Sequence, residues 1–200
     1  IILAVLCIVF GAPAQNTELI DVKKVIPDII LDIRYATQNN FTGKVLYSSA
    51  DCFVAKDVAL ALKKVQVDLK KQGYRLKIFD GYRPLSVQKE MWKAFPDARY
   101  VANPEKGSVY NRGYAVDITI VASDGSPVQM PTDFDEFTIK ARSDYKNLPQ
   151  DAIKHRDILK NTMVKYEFIP IKTEWWHFNY PGYKNKPVLD ISFDVLKIKK

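Results

Sequence analysis

The 200-residue sequence has only two cysteines and two histidines. Cys7 lies in the apolar amino-terminal stretch, so a chain that loses this stretch keeps Cys52 alone and can form no intrachain disulfide. A zinc finger built on cysteines is excluded for the same reason. The domain must therefore be held together by its hydrophobic core, which the 47% hydrophobic content can supply.

The sequence also lacks a focused basic patch, an internal repeat and a low-complexity linker. Its net charge is +7, but the lysines are scattered, except for Lys197, Lys199 and Lys200 at the end. Nucleic-acid binding needs clustered basic residues with stacking aromatics, so no nucleic-acid partner is expected. Most of these charges are interpreted as solvated faces, and the modest positive field suits small anionic ligands or an anionic envelope surface.

Long hydrophobic runs are absent as well. Residues 1–10 are apolar and uncharged, which is too short a stretch to span a membrane. Ala12-Pro13-Ala14 has the small-x-small pattern of a signal-peptidase site. We interpret residues 1–14 as a signal peptide in preference to a buried strand. A domain of residues 15–200, exported to the periplasm or secreted and without an integral membrane segment, is the expectation.

Helical and strand patterns alternate along the remaining chain. Turn residues in "SDGS" between two apolar runs predict a hairpin, which argues against a purely parallel sheet. Gly73 is expected to end the first long helix, and Ser86 to cap a second helix bearing Val87, Met91 and Phe95. The sequence thus predicts one α+β domain with a mixed or antiparallel sheet and packed helices. The predicted elements are helices over 58–69, from 86 and over 151–166, and strands over 75–80, 114–122 and 168–180.

Three groups of residues could carry chemistry. Asp117 stands among apolar strand residues, and a buried carboxylate needs a partner. His177 follows Glu174 by three positions in "EWWHF", which offers one metal ligand and one base, although core packing explains the tryptophans equally well. Residues three apart do not share a face of a regular strand, so Glu174 is expected in an irregular segment. In "DGYRP", Asp80 could hold Arg83, or the two could form a surface ion pair in a turn.

Together these motifs resemble the D-alanyl-D-alanine dipeptidases. "DGYRP", then S-x-x-x-R-G-x-A-V-D ending at Asp117, then "EWWHF" occur in this order, with "DIRYATQNNFTGK" and "MPTDFDEF" beside them. The resemblance extends from Asp32 to Phe178. It implies the fold shared by zinc D-Ala-D-Ala carboxypeptidases and hedgehog signalling domains, one zinc ion per chain, and hydrolysis of the D-alanyl-D-alanine dipeptide in cell-wall metabolism.

The resemblance also implies roles for individual residues. Asp117 and His177 are expected as zinc ligands, and Glu174 as the general base that takes a proton from the attacking water. Arg83 is expected to stabilise the negative charge of the tetrahedral intermediate. Asp135, with Tyr35 and Ser108 nearby, is expected to bind the free ammonium of the dipeptide, and Asp80 is also expected to bind the substrate.

The sequence departs from the family pattern at one zinc ligand. The family has a histidine seven residues before the aspartate, and this chain has Tyr110. Tyr110 could bind zinc as a phenolate, or another group could replace it, although His155 on a predicted helix suits a structural role better. Alternatively, the site holds zinc weakly or not at all and the domain binds D-Ala-terminated peptides or wall fragments. We favour the peptidase, since Glu174 and Arg83 are both present.

Overall fold

A five-stranded mixed sheet forms the centre of the domain. The structure is a computed structural model that describes residues 17–198, so the predicted signal peptide lies outside the described residues. The strand order is β2-β4-β5-β7-β6; β2 runs parallel to β4, and the other neighbours are antiparallel. A separate antiparallel pair joins β1 to β3. The strands are β1 (Leu19–Asp21), β2 (Ile30–Leu31), β3 (Phe53–Ala55), β4 (Tyr74–Asp80), β5 (Ala115–Ala122), β6 (Ile169–Pro170) and β7 (His177–Asn179).

Within residues 17–198, five α-helices accompany the sheets, and α2, one of the two longest, shows why. Four of its apolar residues recur every three or four positions and form one fully buried stripe, and the helix packs on β4. The stripe consists of Val58, Leu62, Val65 and Leu69. Gly73, at φ +83°, ends the helix as predicted. The α+β class and the mixed sheet are confirmed. The helices are α1 (Val22–Val25), α2 (Lys56–Lys71), α3 (Leu85–Ala94), α4 (Gln150–Lys165) and α5 (Phe193–Ile198).

Helix α3 corrects two predictions. Pro84, not Ser86, occupies the N-cap position, and the Ser86 hydroxyl donates to Asp190 instead. The buried face of α3 consists of Gln88 and Met91, whereas Phe95 lies beyond the helix and is 36% exposed. Val87 packs against the core as predicted, so the predicted stripe fails only at Phe95, and the core-facing Gln88 lies beside that stripe.

The carboxy-terminal aromatic run also differs from its prediction. Two short strands, β6 and β7, replace the single strand expected over 168–180, and residues 171–176 between them are irregular. Glu174 lies in this irregular segment, as its spacing from His177 required. The predicted hairpin after β5 is reduced to a single bridge between Val121 and Pro127. Among residues 17–198, no helix is long and apolar enough to span a bilayer.

Candidate metal centre

The sheet register places three polar residues side by side. Asp80 on β4 is paired with Asp117 on β5, and Asp117 is paired with His177 on β7. All three are buried, although β5 is otherwise an apolar strand. Because paired residues of adjacent strands point to the same face of a sheet, chain segments about 40 and 60 residues apart meet at one place. Ile78 and Asp80 flank a register irregularity at the end of β4.

Tyr110 reaches this place from the loop before β5. It begins a short 3₁₀ helix that ends at Gly113, which has φ +76° and lies where a Cβ would be 2.5 Å from Leu19. The Tyr110 hydroxyl oxygen lies 2.6 Å from Asp117 Oδ1 and 2.6 Å from His177 Nδ1. Burial, followed by the charge of Asp117, raises the pKa of Tyr110 well above its usual range, so the hydroxyl is neutral. We call Tyr110, Asp117 and His177 the acceptor cluster.

Asn179, which the sequence analysis missed, orients the imidazole. Its side-chain oxygen lies 3.0 Å from His177 Nε2. With an amide oxygen facing Nε2, that nitrogen carries the ring proton and Nδ1 faces Asp117, at 3.2 Å from Oδ1. The signal for this contact was present in the sequence, since residues two apart on a strand point to the same face.

The acceptor cluster attracts a positive charge. Burial by itself lowers the pKa of His177, but the hydrogen bond and charge of Asp117 outweigh it and raise the pKa overall. With a neutral ring, the single Tyr110 proton would have to serve two acceptors. A proton on the ring or a metal ion supplies the missing positive charge.

Glu174 lies beside Asp117 and His177 in a group whose spacing fits a metal ion. One ligand atom each of Asp117, Glu174 and His177 lies within 4.8 Å of the others, and all three side chains are buried. Carboxylate oxygen and imidazole nitrogen are the donors that zinc accepts in hydrolytic sites. Burial raises the pKa of Glu174 to about 7 against the opposing effect of His177, within the range that suits a general base. His155 is not part of this group; its Nδ1 lies 2.9 Å from the Gln129 carbonyl.

Arg83 lies beside the acceptor cluster and is held in place by several hydrogen bonds. Its Nε and Nη2 donate to Asp80 Oδ2 at 3.2 and 2.7 Å, and Nη1 donates to Gln88 at 2.9 Å. Asp80 Oδ1 accepts from the Tyr47 hydroxyl at 2.7 Å and from the Gly81 amide. Burial raises the pKa of Asp80 to about 6, although Arg83 opposes this shift. We call Tyr47, Asp80, Arg83 and Gln88 the Arg83 clamp.

A second carboxylate faces the same cavity. Asp135 has φ +61°, an uncommon conformation that aspartate tolerates better than most non-glycine residues, and it accepts from the Tyr35 hydroxyl at 3.0 Å. Burial, followed by the charge of Asp117, raises the pKa of Asp135 well above its usual range. An ammonium group at this point would compensate that charge. Ser108 braces the loop, since its backbone amide and hydroxyl both bond Asn111.

The predicted site residues surround one cavity of about 260 Å³, with one exception. Asp80 does not line the wall; it contacts Arg83, so it supports substrate binding only through that side chain. Further wall residues are Trp176 and the segment 98–102. The predicted site residues that line the cavity are Tyr35, Arg83, Ser108, Tyr110, Asp117, Asp135, Glu174 and His177.

An α+β domain with a buried aspartate, glutamate and histidine at metal-binding distance in a cavity has the arrangement of a metallopeptidase. The family model described as D-Ala-D-Ala dipeptidase, of the M15 peptidases, matches residues 15–196. The chain belongs to the D-alanyl-D-alanine dipeptidase family, as the sequence motifs predicted.

Individual relatives agree with this assignment. The D-alanyl-D-alanine dipeptidase of Escherichia coli is 34% identical over 180 residues, covering 90% of this chain and 93% of the relative. That of Enterococcus faecalis is 30% identical, covering 74% and 83%. Among solved structures, an LD-carboxypeptidase described for its peptidoglycan recognition is 24% identical, with a TM-score of 0.47, and the match covers 86% of this chain and 72% of the other.

Proposed function

We propose that this chain hydrolyses the D-alanyl-D-alanine dipeptide with one zinc ion per chain. Asp117 and His177 would hold the zinc, and Tyr110 would be the third ligand, at the position where the family has a histidine. The observation that supports the proposal most strongly is a single cavity that joins the metal-binding group to a buried cation and a separate buried carboxylate. A dipeptide zwitterion presents the matching charges within a short length. Cell-wall metabolism after export to the periplasm, or secretion, is the setting we propose.

The chain's own groups divide the reaction among them. When bound, zinc supplies a Lewis acid that polarises the peptide carbonyl and acidifies water. Glu174, with its pKa raised to about 7, accepts the proton of the attacking water and returns it to the leaving amine. Arg83 remains charged, since its pKa stays well above its usual range beside Asp80, and it offers N–H donors to the oxygen that becomes negative.

Asp135 and Tyr35 form the other end of the proposed substrate site. The carboxylate attracts the free ammonium of a dipeptide, and the Tyr35 hydroxyl fixes the direction of that carboxylate. A substrate held at its ammonium and at its scissile carbonyl has little freedom left, which lowers the entropy cost of reaching the transition state.

The position of the Tyr110 hydroxyl favours a second candidate function, in which the chain binds D-Ala-terminated peptides or wall fragments without cleaving them. Ligand atoms around a tetrahedral zinc ion lie about 3.3 Å apart, given bonds of about 2.0–2.1 Å. The 3.2 Å between Asp117 and His177 matches this spacing, whereas Tyr110 lies only 2.6 Å from each. Tyr110 therefore has to shift before zinc can take it as a third ligand.

D-alanine release from D-alanyl-D-alanine, measured with added zinc, tests the proposal. Residues 15–200 are compared with the Tyr110→His variant, and zinc content per chain is determined for both. Activity in both supports the dipeptidase. Activity in the variant alone, with dipeptide binding in both, supports the binder. A folded, zinc-loaded variant without activity contradicts the proposed substrate.

A further inference from the structure

Gln88 is a fully buried glutamine on the core-facing side of α3. A buried amide is costly unless both of its polar groups are hydrogen-bonded. Here Oε1 accepts from Arg83 Nη1 at 2.9 Å, and Nε2 donates to the Ala102 carbonyl at 2.8 Å. One side chain thus links the guanidinium of Arg83 to the loop that follows α3.

Gln88 does not touch the cavity itself. Ala102 lines the cavity within the segment 98–102, and Arg83 lines it from the other side, but Gln88 is absent from the wall. Any effect of Gln88 on the reaction must therefore pass through Arg83 or through this segment.

The hydrogen-bond count of Arg83 shows what Gln88 adds. A guanidinium has five N–H groups. Asp80 takes two of them, on Nε and Nη2, and Gln88 takes a third, on Nη1. One N–H remains on each terminal nitrogen, and these two are available to a ligand in the cavity. The rings of Tyr110 and Tyr35 contact the guanidinium, with Cζ 4.2 and 5.2 Å from their centroids, but without Gln88 it would be hydrogen-bonded along one edge only.

We propose that Gln88 is a positioning residue that sets the direction of the two free N–H groups of Arg83 and ties them to the cavity wall at Ala102. The inference rests on the proposed function, in which Arg83 stabilises developing negative charge. The inference gives two members of the clamp different roles. Asp80 keeps Arg83 charged, and Gln88 fixes the orientation of its guanidinium.

The kinetic test uses Gln88→Met, which keeps the length of the side chain and removes both hydrogen bonds. We expect kcat for D-alanyl-D-alanine to fall about tenfold, the effect of one misplaced donor, with KM changed less than about twofold. In an Arg83→Lys background the same substitution should cost nothing further, because its target is gone. An equal loss in both backgrounds overturns the inference. Lys89→Met, at an exposed position of the same helix, is the matched control.

A second readout does not depend on activity. NMR of the arginine side chains measures how fast the Nη1 amino group of Arg83 rotates. We expect faster rotation in Gln88→Met and slow rotation in Gln88→Glu, which keeps an acceptor for Nη1. Rotation as slow in Gln88→Met as in the unmodified chain overturns the inference, as does fast rotation in Gln88→Glu if the methionine variant does not fold. An unmodified chain without dipeptidase activity refutes the proposed function alone.

Discussion

The Arg83 clamp and the acceptor cluster lie side by side in one cavity, yet their internal balance differs. In the clamp, Asp80 accepts four hydrogen bonds from Tyr47, Gly81 and Arg83, so the protein alone satisfies this buried carboxylate. In the acceptor cluster, Asp117 and His177 face each other with a single hydroxyl between them. A buried carboxylate whose hydrogen-bond partners all come from the protein, such as Asp80, stabilises the fold. A buried pair of acceptors that share one donor, such as Asp117 and His177, marks where a ligand would bind.

The largest effect is expected in the metal-binding group, where substitution of Glu174 should lower kcat. Glu174→Gln removes the base but leaves Asp117 and His177 in place, so kcat should fall by about 10²–10⁴ while one zinc per chain remains. Steady-state kinetics and metal analysis measure the two quantities. Glu105→Gln, at an exposed position, should change neither. A Glu174→Gln chain with full activity would show that the base lies elsewhere.

Substitutions in the Arg83 clamp should lower the stability of the domain. Asp80→Asn leaves the buried Arg83 without its counter-charge, so the free energy of unfolding should fall by about 3–5 kcal/mol. Urea denaturation measures this change. Asp144→Asn breaks an exposed aspartate–arginine pair, with Arg142, and should leave the midpoint unchanged. Equal effects of the two substitutions would mean that the buried Asp80–Arg83 pair contributes no more to stability than an exposed pair.

The orientation of the imidazole gives a smaller effect, in metal affinity. Asn179→Ala removes the acceptor for Nε2, so zinc should bind about 10–100-fold more weakly. Competition with a chromophoric chelator measures the affinity, and Asn185→Ala provides an exposed control. Unchanged affinity would exclude Asn179 from the metal centre.

The smallest effect is expected at Tyr47. Tyr47→Phe removes one of four hydrogen bonds to Asp80 and keeps the ring, so unfolding should become easier by about 1 kcal/mol. Chemical denaturation resolves a change of this size. A loss as large as that of Asp80→Asn would mean that the remaining donors do not hold the carboxylate.

The sequence predicted the elements and most of the site, and the misses have physical causes. Helical spacing located α2 and α4 within about two residues, since buried apolar stripes define them. Gln88 was missed because the apolar pattern that located α3 gives no signal for an amide at a core-facing position. Tyr47 was missed because a tyrosine in a loop carries no periodic signal. Its contact with Asp80 depends on tertiary packing.

Tyr110 was identified from the sequence, but its contacts could not be predicted. The motif spacing identified it as the replaced ligand, but only the three-dimensional structure shows its hydroxyl lying between Asp117 and His177. Sequence patterns specify which residues meet; they do not specify distances of 2.6 against 3.2 Å, and these distances separate a hydrogen-bonded cluster from a finished zinc site.

The register that aligns Asp80, Asp117 and His177 across three strands has a consequence for folding. A slip of one residue between strands turns every side chain of the slipped strand to the opposite face, so the site exists only when these three strands pair in this register. A newly made, unfolded chain therefore cannot hold a cation there. A cation that binds there would stabilise the folded domain relative to the unfolded chain.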